Sequence, residues 1–376
     1  MILKDVILEN YRNYLNLEIE LDNNINLFIG ENAQGKTNFI EAVHYLATGR
    51  TFRSNKDLEI INWEKNYFRI KGKLIKKNLN REFLLDIYYD RQGNKKVKIN
   101  GVKYKKISDL FGYLQVVIFS PDDLNIIKGS PAERRKYIDL EICQLISTYY
   151  NTLSTYNKVL QQRNNLLKEI RDNNQKIDIL EVWDEQLVKY GSIIIKNRIE
   201  FLSKVVPLAR RNQDEITNGK EKLDITYNSS IISTPTVEIR TIEKNFIDKI
   251  KQNKNNEIKK AITLFGPHRD DIIFYIEGKD LKTFGSQGQQ RTAILSLKMA
   301  ELNLFYYNNE EYPLLLLDDV MSELDDYRRE FLMKVIRNNN IQTLITGANA
   351  ELLDINIENK EVFNVVNGTI KGSRRF

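Results

Sequence analysis

Gly30-Glu31-Asn32-Ala33-Gln34-Gly35-Lys36-Thr37 has the form G-x-x-x-x-G-K-[ST], a spacing suited to one chemistry, the holding of a polyphosphate. Its glycines let the backbone wrap the phosphates, so that amide N–H groups and a helix amino terminus face negative charge. Lys36 is expected to reach the β- and γ-phosphates, and Thr37 to place its hydroxyl on Mg²⁺. Near the other end, Leu314-Leu315-Leu316-Leu317-Asp318-Asp319 reads as an apolar strand ending in two carboxylates. Asp318 suits the Mg²⁺ shell and Asp319 the orientation of an attacking water, although two adjacent acids at a strand end also read as a turn. Ser286-Gln287-Gly288-Gln289-Gln290 precedes a helix predicted over Thr292–Leu304. A serine and glycine at a helix start make a second anion site, which a monomer with one nucleotide does not obviously need.

The elements that must position these groups alternate between strand and helix. Ile25–Ile29 reads as a buried strand entering Gly30, and Thr37–Ala47 has helical spacing. Val6–Leu8 and Leu17–Leu21 alternate like strands. From Tyr67 to Tyr104 the pattern has period two, with Asn100-Gly101 as a hairpin turn, which predicts an antiparallel sheet. Leu314–Leu317, apolar throughout, fits a parallel strand covered on both faces, and Gln342–Thr346 reads as another strand. Between the ends lie two long helical stretches, Ala132–Arg171 and Leu180–Thr217, joined by the polar connector Asp172–Gln175, with Pro207 expected to kink or break the second. Strand character returns at Leu223–Tyr227 and Ile272–Ile276. The expected fold is therefore α/β, a phosphate-loop mixed sheet plus an antiparallel β subdomain, with an inserted antiparallel α-helical lobe. The expected divisions are 1–125, 126–222 and 223–376.

Composition bounds the function. The chain has 376 residues, 41% of them apolar, enough for a large core and about two lobes. It contains no run of about 18 apolar residues, and Met1–Val6 lacks a signal-peptide layout, so the expected location is cytoplasmic. Cys143 is the only cysteine, which excludes an internal disulfide; with only His44 and His268, no zinc set can form. Cys143 lies in an apolar helical run and reads as buried. Net charge is +6, yet twelve Lys/Arg stand against three acids between Lys71 and Lys106. Lys73, Lys76, Lys77, Lys95, Lys96, Lys98, Lys103, Lys105 and Lys106 are thus candidates for a phosphate-backbone surface, as are arginines on the helical arm. A solvated strand face explains the sheet lysines equally well. No base-reading module is visible, so any DNA recognition should run through the backbone.

The phosphate loop, the Ser286–Gln290 segment and Asp318-Asp319 together resemble the ATPase head of the ABC superfamily, with its S-x-G-Q signature. Tyr11-Arg12-Asn13-Tyr14, Phe119-Ser120-Pro121-Asp122-Asp123-Leu124, Lys128–Pro131, Arg134-Arg135, Gly266-Pro267-His268-Arg269-Asp270-Asp271 and Asp318–Asp325 make the chain similar, end to end, to the RecF family of bacterial recombination-repair ATPases. The resemblance implies an SMC-like head that binds ATP and Mg²⁺, dimerises head to tail around two ATPs, and closes on double-stranded DNA. It implies weak, DNA-stimulated ATP hydrolysis that releases the dimer, and a nucleoid-associated role in replication, repair and the SOS response to damage. Its partners would be RecR with RecO, and indirectly RecA, at gaps and single-strand/double-strand junctions.

By the same resemblance Ser286, Gly288 and Gln289 touch the partner copy's γ-phosphate, and Ser322, Glu323, Leu324 and Asp325 couple the two sites. Arg12, Asn13 and Asn38 sit beside the nucleotide held by residues 30–37. Two departures stand out. Asp319 replaces the glutamate usual in transporter ATPases, which implies slow turnover, and Thr346-Gly347-Ala348-Asn349 lacks a γ-phosphate-sensing histidine that Thr346 replaces in part. Gln115 is a candidate for the glutamine that links γ-phosphate to lobe motion. Arg50 and Arg53 are candidate sensors of ATP or DNA, with surface salt bridges as the alternative. His268 could contact ligand or be held in a turn, Asp270 and Asp271 read as an ion-pair cluster or cap, and Tyr149, Tyr150 and Tyr156 read as helix packing. A transporter subunit and a protein-binding scaffold without DNA share the head and remain the competing classes.

Overall fold

The structure, a computed structural model, describes residues 1–54, 56–173, 178–348 and 360–375. Part of the polar connector, 174–175, and Asn349 lie outside the described residues. In chain order the elements are β1 (Ile2–Tyr11), β2 (Tyr14–Glu20), β3 (Ile25–Ile29), α1 (Lys36–Thr48), β4 (Tyr67–Lys76), β5 (Arg81–Asp90), β6 (Lys95–Ile99), β7 (Val102–Tyr104) and β8 (Val116–Phe119). Then come α2 (Asn125–Lys128), α3 (Pro131–Leu145), α4 (Ser147–Asn173), α5 (Ile179–Thr217), β9 (Leu223–Asn228), α6 (Ile239–Lys260), β10 (Asp271–Ile276), β11 (Lys279–Asp280) and α7 (Leu281–Phe284). The last are α8 (Gln287–Asn309), β12 (Leu314–Asp318), α9 (Asp326–Asn338), β13 (Thr343–Gly347), β14 (Lys360–Val366) and β15 (Thr369–Arg375).

Two compact units emerge, one made of Met1–Asp123 with Lys298–Phe376, the other of Leu124–Leu297. The first holds two six-stranded sheets. One runs β15-β14-β3-β13-β12-β8, parallel except where β15 turns back on β14. Its inner strands are apolar on both faces, as at Leu314–Leu317, because helices and the second sheet cover them. The other, β2-β1-β4-β5-β6-β7, is antiparallel and closes with the Asn100-Gly101 turn, both residues at positive φ as that two-residue hairpin requires. A single core joins Leu3, Val6 and Leu8 of β1 with Phe39 and Leu46 of α1, Phe68 and Ile70 of β4, and Leu314 and Leu316 of β12.

The second unit runs to Leu297, not to the expected boundary at 222, because β9 pairs along its length with β10 instead of joining either sheet of the first unit. Two further expectations change. The stretch read as one helix from Ala132 to Arg171 breaks at Ile146, which takes extended φ/ψ before Ser147 starts α4. Helix α5, by contrast, continues through Pro207 to Thr217. Buried ion pairs hold this unit together. Arg163, fully buried, donates to Asp184 (2.6 Å), Glu257 (2.7 Å) and Thr263 (2.8 Å), and Arg198 donates two hydrogen bonds to Asp139, both 2.9 Å.

Candidate nucleotide site

Strand β3 ends at Ile29 and the chain turns through Gly30–Gly35 into α1. Gly35 has φ +118°, where a side chain is strained, and a Cβ there would also strike the Asn13 amide. At Gly30 an added Cβ would collide with the Val365 carbonyl of β14. The loop is therefore pinned from both sides, by the β1–β2 hairpin and by β14. Asn13 donates to the Gln34 carbonyl (2.9 Å), Tyr14 to the Gly35 carbonyl (3.1 Å), and the Gly368 amide to the Gln34 carbonyl (2.9 Å). Gly35 offers α1 no side-chain cap and the first turn holds no acid, so the helix amino terminus keeps N–H groups for an anion. Lys36, 4% exposed, donates to the carbonyls of Gly30 (2.8 Å) and Glu31 (2.9 Å), folding its ammonium over the loop.

Asp318, at the end of β12, receives Thr37 Oγ1 at 2.9 Å and Thr346 Oγ1 at 2.8 Å, both on Oδ1. Parallel pairing sets this up, since β12 registers Asp318 against Thr346 of β13, and β13 in turn pairs with β3. Burial raises the Asp318 carboxyl above its ordinary range, and the neighbouring Asp319 adds to this, while the bonds from Thr346 and Thr37 oppose it. The Thr37 hydroxyl and the Asp318 carboxylate form the pair of hard oxygen ligands that Mg²⁺ takes from a protein when phosphates supply others, so they fit that ion. Asp319 has φ +52°, an uncommon conformation held by its amide donating to Thr346 Oγ1 at 3.0 Å. Thr346 thus touches both carboxylate residues, one through its proton and one through its lone pair.

Several expected site residues take other roles. Arg12 donates to Glu41 twice (2.9 and 2.8 Å) and to the Glu59 carbonyl (2.7 Å), so its guanidinium compensates a fully buried carboxylate in α1. Asn13 does reach the loop, and continues through Asn38 (2.8 Å) to Arg53 (2.9 Å from Asn38), bringing Arg53 to the site. Gln115 lies at the wrong end of β8, ahead of Val116 and bonded to Asn309 (2.9 Å); register with β12 puts Ser120 at the end nearest Asp318. Asp325 caps α9 through the Arg328 amide, and Ser322 donates to the Asp319 carbonyl at 2.8 Å. Glu323 and Leu324 lie in the same turn, Leu324 buried.

In the second unit, Ser286 and Gln289 bond reciprocally, Gln289 Oε1 accepting from the Ser286 amide (3.0 Å) and Ser286 Oγ accepting from the Gln289 amide (3.2 Å). This capping box starts α8 at Gln287, one turn before the predicted Thr292, and leaves Ser286 and Gln287 exposed with Gly288 in the first turn. His268 Nε2 donates to the Thr263 carbonyl (3.2 Å), which leaves Nδ1 to accept from Tyr156 Oη (2.6 Å), and burial lowers its pKa to about 4. Asp270 is buried and accepts from Tyr227 (2.5 Å) and from the Ser230 amide and hydroxyl, while Asp271 pairs with Arg134 (2.7 Å). These residues hold the fold, as the tyrosines at 149 and 156 do from full burial.

Much of the basic sheet fits the second of its two sequence readings, a solvated strand face. On its outward face β4 carries Arg69, Lys71 and Lys73, but register sets Glu9 and Asp5 of β1 and Asp86 of β5 beside them, with Glu18 and Glu20 one strand further. Arg69 pairs with Asp86 (2.7 Å), Lys71 with Glu9 (4.0 Å) and Lys73 with Glu82 (3.1 Å). Lys76 donates to the Gly112 carbonyl, and Lys95 to Gly49 (2.7 Å) and Asp57 (2.9 Å), with burial lowering both pKa values. Lys96 lies 5.0 Å over the Tyr88 ring. Lys77, Lys98, Lys103, Lys105 and Lys106 stay exposed, four of them around the β6–β7 hairpin. On the arm, Arg163 and Arg198 are internal, Arg171 pairs with Asp172 (2.7 Å), and Arg210 with Asp224 (2.6 Å).

A phosphate loop between a parallel strand and a helix, an acidic strand end across the sheet, an antiparallel subdomain and an inserted helical unit define an ABC-type ATPase head of the SMC kind. The chain belongs to the RecF/RecN/SMC N-terminal domain family, whose model matches residues 2–371. It is 40% identical over 372 residues to the DNA replication and repair protein RecF of Bacillus cereus (strain AH820), covering 98% of both chains, and equally to that of Bacillus anthracis (strain CDC 684 / NRRL 3495). Among solved structures it is similar to the recombination mediator protein RecF-ATP of the RecFOR pathway, with TM-score 0.91 and 36% identity over 100% of this chain and 97% of that one. A Pyrococcus furiosus Smc head with an extended coiled coil, bound to the C-terminal domain of ScpA, shares the fold at TM-score 0.58 and 14% identity, over 100% and 96% of the two chains. Among the described residues, no helix is long and apolar enough to cross a membrane.

Proposed function

We propose that the chain is an ATP-dependent DNA-repair and recombination protein of the RecF type, a slow ATPase whose nucleotide state governs a homodimer on DNA. One observation carries the reading: Thr37 and Asp318, 281 positions apart, meet at 2.9 Å beneath a pinned phosphate loop. The loop amides and Lys36 bind and orient the phosphates; Thr37 and Asp318 hold Mg²⁺, which supplies charge neutralisation at the transferred phosphoryl group. Asp319, fixed in its left-handed conformation, accepts a proton from the attacking water, and its short side chain suits slow turnover. Ser286, Gly288 and Gln289 of one copy complete the phosphate site of the other, with Ser322–Asp325 beside that junction. Asn13, Asn38 and Arg53 line the nucleotide, and Arg12 supports them through Glu41.

On this reading duplex DNA and single-strand/double-strand junctions are the substrates, RecR with RecO the partners, and RecA the protein loaded, in the cytoplasm at the nucleoid. Light scattering with and without ATP, alongside phosphate release with and without duplex DNA, tests it. An ATP-dependent dimer whose hydrolysis DNA accelerates is expected. A dimer indifferent to DNA would make the chain a protein scaffold instead, and no ATP-dependent dimer would remove the reading altogether.

A further inference from the structure

The second unit carries a concentration of cations that the residue count over Lys71–Lys106 does not touch. Helix α6 has seven basic and three acidic residues in 22, and one of the acids, Glu257, is fully buried against Arg163. Its apolar face, Ile242, Phe246 and Ile250, packs inward. At 3.6 residues per turn Arg240, Lys244, Lys251 and Lys254 fall within an arc of about 80°, centred about 120° around the helix from that apolar face and spread over about 21 Å of its length. Arg240, Lys244 and Lys251 are exposed and Lys254 half-buried. Glu243 and Asp248 flank the arc, yet among the described residues none of the four cations makes an ion pair. On the sheet, by contrast, Arg69, Lys71, Lys73 and Lys95 each have a carboxylate, and the exposed lysines gather mainly at the β6–β7 hairpin.

The acids spaced to favour these cations on α6, Glu243 for Arg240 and Asp248 for Lys244 and Lys251, do not close on them. Arg240 stands in the first turn, where the helix dipole disfavours a cation, and no acid accompanies it there. Lys251 and Lys254, at i and i+3, repel one another. The exposed lysines of the β6–β7 hairpin, in contrast, have a structural job, because β7 is an edge strand and lysines there block pairing with another chain.

We propose that the Arg240–Lys244–Lys251–Lys254 face of α6 is a docking surface for the phosphate backbone of duplex DNA. The assignment rests on the DNA-binding reading above and places the contact on the helical unit instead of the basic sheet. A row of unpaired cations about 21 Å long can track successive phosphates along a duplex, and contacts to phosphate carry no sequence information, so the contact is sequence-independent.

The test measures binding of a fluorescein-labelled 30-bp duplex by anisotropy against salt, with ATP present, for the full chain and two variants. The Lys244→Gln/Lys251→Gln/Lys254→Gln variant should lose about 2.7 from the slope of log K against log salt, at about 0.9 per phosphate contact, and bind about 10²-fold more weakly at 0.15 M. ATP affinity and the melting profile should not move, since all three side chains lie off the packed face. The Lys98→Gln/Lys103→Gln/Lys105→Gln variant should keep most of the slope. A wild-type slope in the α6 variant, or loss confined to the hairpin variant, overturns the assignment while leaving DNA binding intact. No duplex binding by the unaltered protein overturns both.

Discussion

Arg12→Ala separates two roles for one residue. If Arg12 served the nucleotide alone, truncation would weaken ATP binding and leave the fold untouched. The structure gives it a different load. Glu41 is fully buried in α1 and receives two hydrogen bonds from the Arg12 guanidinium, at 2.9 and 2.8 Å, and one from Thr51. Removing Arg12 leaves a carboxylate in the core with a single hydroxyl donor. Breaking a buried pair in this way costs about 3–5 kcal/mol, and because the Arg12 side chain is 20% exposed the lower end, about 3 kcal/mol, applies here. In a unit of about 200 residues each kcal/mol moves the melting temperature by about 2–4 °C, so a drop of roughly 6–12 °C is expected in that unit's transition. Adding Glu41→Gln to Arg12→Ala should restore much of it, because the uncompensated charge is gone. Differential scanning calorimetry, which can resolve two units, reads both variants beside a fluorescent-nucleotide titration. A melt within 1 °C of wild type, with ATP affinity lost, would refute the structural role and return Arg12 to the ligand.

Asp318→Asn should abolish Mg²⁺-dependent hydrolysis while raising the melting temperature of the ligand-free protein at neutral pH. Burial raises the Asp318 pKa, so that carboxyl contributes stability below its unfolded pKa and loses it as pH rises through the folded one; unchanged phosphate release would remove the metal role. Gly35→Ala forces a side chain into φ +118° and into Asn13, and should cost about 1–3 kcal/mol together with at least tenfold in ATP affinity, checked by the same melt and titration. His268, with its pKa lowered to about 4, takes up a proton far more readily when unfolded. The second unit should therefore lose on the order of 3 kcal/mol as pH falls from 6.5 to 4, and His268→Gln should flatten that dependence in calorimetry across pH.

Groups whose role is fixed by local backbone chemistry were legible in sequence. The phosphate loop, the strand before it and the Asp318 strand end declare themselves by residue type and spacing, and the Asn-Gly hairpin by its turn. What escaped depends on partners far along the chain. Lys71 and Lys73, two of the twelve basic residues between Lys71 and Lys106, look free until register sets β1 and β5 carboxylates beside them. Gln115 had the right residue type and the wrong end of its strand, which only pairing with β12 reveals. Resemblance alone places Arg12 beside the nucleotide, and its compensation of Glu41, 29 positions away, gives no sign in sequence. The α6 lysines were in plain view as composition, but their value lies in being unpaired on one face, and that requires the helix and its buried side.

Strand β3 imposes an order on how the protein comes into being. It carries the phosphate loop at its end, and both of its neighbours, β13 and β14, are made from residues about 320 or more positions later. At about 5–20 residues per second on the ribosome, that strand waits some 15–60 s with its two edges bare, apolar and unable to pair as they finally will. The first unit cannot be completed as it emerges, whereas the second, contiguous from Leu124 to Leu297, is free to fold first. A premature stop between Leu297 and Thr343 thus leaves the second unit whole but the phosphate-loop strand without either of its neighbours.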